Sequence, residues 1–118
     1  MKISIRDVGL AKIVEVDGDV DLGTSGALRR TLFAALPETS VLALNLQAIR
    51  YIDSSGIATL IEVLNDSRRL NKQFILFGLS TAVEEVFRLT HVIRIFRIVE
   101  TEQEALDDAP GPPAGGGL

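Results

Sequence analysis

Residues 51–64 read YIDSSGIATLIEVL. An apolar, strand-like segment runs into this stretch, and a helix-like pattern begins within it. Asp53, Ser54, Ser55 and Gly56 stand at the join. A serine at a helix start is first of all a cap, because its oxygen can accept a bond from a free backbone amide. A cap accounts for one hydroxyl. It does not account for a carboxylate, two hydroxyls and a glycine together. A second reading is covalent. A helix N-terminus offers unpaired N–H groups and positive potential, so the fold itself would accommodate a phosphate on one of these serines. Such a group adds about −1.5 to −2 charge at neutral pH and would alter the surface without unfolding it. Gly56 would then leave the backbone open to an approaching partner, and Asp53 would polarise the site or repel a second anion.

Other chemistry-bearing residues make weaker constellations. Asp17, Asp19 and Asp21 read D-x-D-x-D, as an EF-hand loop begins. That loop needs Gly at its sixth position and Glu at its twelfth, and here these hold Leu22 and Leu28. A polar turn leading into a helix is the plainer reading. His91 is the only histidine, and no serine lies in a G-x-S-x-G elbow that would pair with it. Its place after a helical stripe suits a helix end, where the left-handed region is tolerated. GTSGAL has neither the lysine of a phosphate-binding loop nor the spacing of a dinucleotide motif. Asp53 at a strand end could resemble a receiver's acceptor, but no lysine follows Lys72. No catalytic residue, metal ligand set or cofactor site is assigned.

Composition narrows the classes. With no cysteine, disulfides, thiol catalysis and cysteine metal sites are excluded. A net charge of −4 argues against a general nucleic-acid binder, which needs a basic face. MKISIRDVGL lacks the apolar core of a signal peptide. No run approaches the roughly 18 apolar residues that span a bilayer, so direct membrane insertion is not expected and a cytoplasmic location is.

The elements that must position Ser54 follow from periodicity. Residues 2–8 and 11–17 alternate around Gly9 and read as a hairpin. The Asp- and Gly-rich run after them reads as loop. Leu28, Leu32 and Leu36 then mark a helix capped by Thr24 or Ser25 and ended by Pro37. Residues 40–49 are almost continuously apolar, which predicts a central parallel strand buried on both faces. Ile57, Leu60, Ile61 and Leu64 define the helix after the DSSG. Residues 73–79 are another buried strand. Thr81 and Glu84 predict a capping box for a third helix, with Val83, Val86 and Phe87 as its stripe. IRIFRIV, residues 93–99, is a last strand. Thr101 and Glu104 form a second box opening a short terminal helix. The order β-β-α-β-α-β-α-β-α predicts an α/β domain: a hairpin, then a mixed, mostly parallel sheet of about five strands, with helices mainly on one face. The domain is expected over residues 1–109. Residues 110–118, Pro- and Gly-rich, are expected to be a disordered tail.

YIDSSGIATLIEVL resembles the strand-end and helix-start motif D-S-[ST]-G-[LI] of the STAS domain, specifically of bacterial anti-sigma factor antagonists. GDVDLGTSGAL is similar to the family's G-x-x-D-x-x-[ST] segment. STAVEEVFRLTHVIRIFRI and TEQEAL resemble its last helix, strand and terminal helix, so the resemblance spans about residues 2–108. His91 departs from the glycine often found there. The resemblance implies that Ser54 is the phospho-acceptor. It also implies that Asp21, near that site, helps the partner interaction, beside Asp53, Ser55 and Gly56. It further implies transcription regulation by partner switching. The unphosphorylated protein binds an anti-sigma factor, which is itself a GHKL-type serine kinase using ATP, and so frees a sigma factor. Phosphorylation ends binding, and a metal-dependent PPM-type serine phosphatase restores it. The domain itself would catalyse nothing. STAS accessory subunits of ABC-type lipid-transport complexes and stressosome-like scaffolds are the alternatives the resemblance also admits.

Overall fold

The computed structural model describes residues 1–107. The alternating N-terminal runs pair as β1 (Lys2–Val8) and β2 (Ala11–Val20), antiparallel about a turn in which Gly9 takes φ 59°. Then follow α1 (Ser25–Ala35), a 3₁₀ turn through Pro37, β3 (Val41–Ile52) and α2 (Ser54–Arg69). Next come β4 (Gln73–Phe77), α3 (Thr81–Leu89), a second 3₁₀ turn (Val92–Arg94), β5 (Arg97–Val99) and α4 (Glu102–Asp107). The hairpin is part of a single five-stranded sheet of order β1-β2-β3-β4-β5, parallel at every pairing after the first.

β3 is central and buried on both faces, as its apolar run requires. One face carries Val14, Val16, Leu42, Leu44 and Leu76 against Leu28 and Leu32 of α1, Leu60 and Val63 of α2, and Val83 and Phe87 of α3. The other carries Ile13, Val41, Ala43, Ile75 and Phe77, with Ala105 of α4 upon it. Three helices thus share one face. α4 is tied across the opposite face by the Arg6–Glu102 ion pair.

Four local expectations are corrected. The Asp- and Gly-rich run is not all loop: β2 continues to Val20, with register shifts at Glu15/Asp17 and Gly18/Asp19, because β3 also runs on to Ile52 and offers it a partner. α3 is capped one residue earlier than the T-x-x-E pattern indicates: Ser80 is the N-cap and accepts from the Val83 amide at 3.3 Å. The same hydroxyl donates to the Ile49 carbonyl at 2.7 Å, where β3 has outrun β4 and lacks a strand neighbour on that side. Thr24 is the N-cap of α1, but its side chain makes no capping bond to the helix. Of IRIFRIV, only Arg97–Val99 is strand, because the chain first turns to bury Phe96 between Phe87, stacked at 5.7 Å, and Phe74, edge-on at 6.4 Å. The expected boundary at residue 109 and the tail 110–118 lie outside the described residues. None of the described helices is long and apolar enough to cross a membrane.

Candidate functional site: the start of the second helix

β2 and β3 run parallel with Val20 paired to Ile52. The next residues, Asp21 and Asp53, therefore leave the sheet side by side at its carboxyl end. The Asp53 amide donates to the Val20 carbonyl at 3.1 Å, which closes the two strand ends together. Each aspartate then organises the start of one helix.

Asp53, rather than a serine, is the N-cap of α2. Its backbone is extended (φ −112°, ψ −171°), and one carboxylate oxygen accepts from the Ser55 amide at 2.9 Å and the Gly56 amide at 3.2 Å. The same oxygen accepts the Ser55 hydroxyl at 2.6 Å. The Ser55 hydroxyl is the largest influence holding the Asp53 carboxyl below its ordinary pKa, against partial burial; the Gly56, Ser55 and Leu22 amides add to it. Asp53 is thus held as a carboxylate by the groups it fastens.

Ser54 is left over. It is the first residue of α2, exposed, and among the described residues its hydroxyl has no hydrogen-bond partner. Ser55, by contrast, is half-buried. Gly56 answers to an internal constraint: it is buried, and a Cβ there would stand 2.7 Å from both Val20 Cγ1 and Ile52 Cγ1. The glycine lets α2 begin in contact with the ends of the strands that carry the two aspartates.

Asp21 has its own structural work. Its Oδ1 accepts from the Gly23 amide at 2.9 Å and the Thr24 amide at 3.1 Å, and Thr24 Oγ1 donates to the Asp19 carbonyl at 2.8 Å. Between them Leu22 is 83% exposed, a large apolar side chain presented beside the DSSG. Sequence reading passed over it, although an isolated leucine with no periodic partner in a polar loop was a visible signal. Val20 and Ile52 were also missed as determinants of the glycine. Asp17 and Asp19 both lie near Arg50, at 3.5 and 4.0 Å, and no group of three acidic or histidine side chains among the described residues could hold a metal ion. His91 takes φ 61° after α3, as expected of a helix end, and is exposed. Grooves of about 520 and 650 Å³ lie around β4, β5 and α3, and neither includes Asp21 or any residue of Asp53–Gly56. Ser54 and Leu22 both stand exposed at the start of α2 and in the loop beside it.

A β-hairpin continued into a parallel sheet, with three helices on one face and a D-S-S-G cap at the carboxyl end of the central strand, defines a STAS-type domain. The chain belongs to the STAS domain family, whose model matches residues 2–105. It is 28% identical over 90 residues to the anti-sigma-B factor antagonist of Listeria monocytogenes, spanning 75% of this chain and 79% of that protein. Its fold is similar to that of an anti-sigma factor antagonist from Mycobacterium paratuberculosis, with TM-score 0.83, 21% identity and 92% of each chain covered. It is similar also to the Bacillus cell fate determinant SpoIIAA in its phosphorylated form, with TM-score 0.70, 18% identity, and coverage of 92% of this chain and 100% of that one.

Proposed function

We propose that this chain is an anti-sigma factor antagonist that works by partner switching in the cytoplasm, with Ser54 as the switch. Unphosphorylated, it binds an anti-sigma factor that is also a GHKL-type serine kinase, through the surface around Asp21, Leu22 and the DSSG. Phosphorylation of Ser54 ends the contact, and a PPM-type phosphatase restores it. The chain is an adaptor in this scheme and not an enzyme. The observation that carries the reading is that Ser54 alone, among the side chains of the DSSG, is exposed and unused by the fold. The names of its relatives point the same way.

A phosphate on Ser54 would add about −1.5 to −2 charge to a protein already at −4. It would sit beside Asp53 and Asp21, on a surface that also offers Leu22 for burial. A closely fitting partner would then have to desolvate a dianion. A loss of a few kcal/mol suffices, since about 1.4 kcal/mol is tenfold in affinity. The test begins with a pull-down on Ser54→Ala, which should retain the kinase constitutively. Incubation of the recovered kinase with ATP and the wild-type chain should place phosphate on Ser54. Ser54→Asp should bind about tenfold or more weakly in titration. Equal binding by wild type, phosphorylated chain and Ser54→Asp would refute switching.

A further inference from the structure

We infer that Asp53 is a positioning residue that decides which of the two adjacent serines is modified, by fastening the Ser55 hydroxyl and leaving Ser54 free. The inference rests on the phosphorylation of Ser54 proposed above and adds the device that selects it.

Two neighbouring serines at a helix start present a kinase with nearly the same chemistry. Sequence around them cannot discriminate strongly, since each lies one residue from the other. Geometry can. Transfer of a γ-phosphoryl group requires the hydroxyl oxygen to attack phosphorus in line, forming the Oγ–P bond as the bond from phosphorus to the departing nucleoside diphosphate breaks. The hydroxyl proton must pass to a base of the kinase. Ser54 Oγ is exposed and its proton is uncommitted. Ser55 Oγ is half-buried and gives its proton to Asp53 Oδ1 at 2.6 Å. To react, Ser55 must give up that bond and turn outward. Leaving would also strip the shared oxygen of one of three donors, the others being the Ser55 and Gly56 amides.

The opposite role for Asp53, activating Ser55 as a general base, fits the site poorly. A carboxylate accepting three hydrogen bonds is a weak base, in keeping with the depressed pKa of Asp53. The activated oxygen would also be the less accessible one. Asp53 therefore withholds Ser55 and does not arm it.

Two measurements test this. The first needs no kinase. In mixed H₂O and D₂O, the deuterium isotope shift on each serine ¹³Cβ separates slowly from rapidly exchanging hydroxyls. Ser55 should give two resolved signals and Ser54 one averaged signal. Asp53→Gly keeps a good N-cap residue type without the carboxylate and should collapse the Ser55 pair to one signal. Asp53→Asn, which still offers an acceptor oxygen, should retain it. The second uses the kinase recovered by the Ser54→Ala pull-down. Wild type and Asp53→Asn should carry phosphate on Ser54 with only a trace on Ser55. Asp53→Gly should raise the Ser55 to Ser54 ratio about tenfold, the effect of losing one charge-assisted bond. Ser54→Ala/Asp53→Gly should accept phosphate on Ser55, where Ser54→Ala does not. General loosening of the helix start would slow both sites and leave their ratio unchanged. The inference is overturned if both wild-type hydroxyls exchange alike, or if Asp53→Gly is still modified only on Ser54. Absence of phosphate from the wild type would instead refute the switch itself, and hydroxyl exchange would still decide whether Asp53 fastens Ser55.

Discussion

Gly56→Ala should destabilise the protein, although alanine is the better helix former. In an exposed helix interior the substitution would gain about 1 kcal/mol. Here the new methyl carbon would stand 2.7 Å from Val20 Cγ1, 2.7 Å from Ile52 Cγ1 and 3.2 Å from Ile52 Cδ1. Ordinary carbon contacts lie at about 3.5–4.0 Å, so two of the three are deep overlaps. Neither neighbour yields easily. Val20 and Ile52 are 0% and 2% exposed, β-branched and stiff at χ1, and sit opposite each other in paired strands. Overpacking a filled core costs about 1–3 kcal/mol. Two simultaneous clashes place this site near the upper end, so about 1–2 kcal/mol remains after the helical gain. For a domain of this size that lowers Tm by roughly 4–10 °C. Urea unfolding should show a lower midpoint at unchanged m-value. Val20→Ala removes one of the clashing carbons, so Gly56→Ala/Val20→Ala should cost less than the sum of the single changes. A neutral or stabilising Gly56→Ala would refute the packing account and leave Gly56 available for a partner.

Ser80→Ala should cost about 1–2 kcal/mol in urea unfolding, since it removes the cap of α3 and strands the Ile49 carbonyl at the same time; a loss within error would show that water replaces both bonds. Thr81→Ala, at the residue the sequence pattern favoured, should cost distinctly less. Acid should loosen the start of α2 before the sheet. Asp53 has a depressed pKa when folded, so its contribution is complete above the unfolded carboxylate value of about 3.9 and is lost as pH falls through the lower folded value. Hydrogen exchange at the Ser55 and Gly56 amides should therefore accelerate, relative to the β3 amides, as pH drops below about 4; parallel loss across the domain would refute a local effect of Asp53.

Much of this architecture was legible because its signals are local. The run from Val41 to Leu46 announces a strand with no solvent face, and the apolar stripe from Ile57 to Leu64 announces a helix. The motif between them could be located for the same reason. What was missed depends on pairing between distant segments. Gly18-Asp19-Val20 looks like loop by composition, yet its burial alternates as a strand should, and β3 supplies the partner that overrides propensity. The choice of Ser80 over Thr81 turns on a carbonyl of β3, 31 residues away in sequence. The packing reason for Gly56 was not legible because Val20 and Ile52 become its neighbours only when β2 and β3 lie side by side.

The same dependence explains how one residue of the motif is left without structural work. Asp53 ends the strand and caps the helix. Ser55 satisfies Asp53, and Gly56 sets the distance between helix and sheet. Asp21 and Thr24 hold the adjoining loop. Each is committed to the fold by a contact that a substitution would break. Ser54 is committed to nothing, yet it stands at the positive end of a 16-residue helix and next to two carboxylates. A phosphate placed there would be drawn to the helix amides and repelled by Asp53 and Asp21, so within the chain the two effects oppose each other. A docked partner would meet the added charge without that balance. The switch proposed for Ser54 would therefore act across the interface, and the fold that presents it would not need to move.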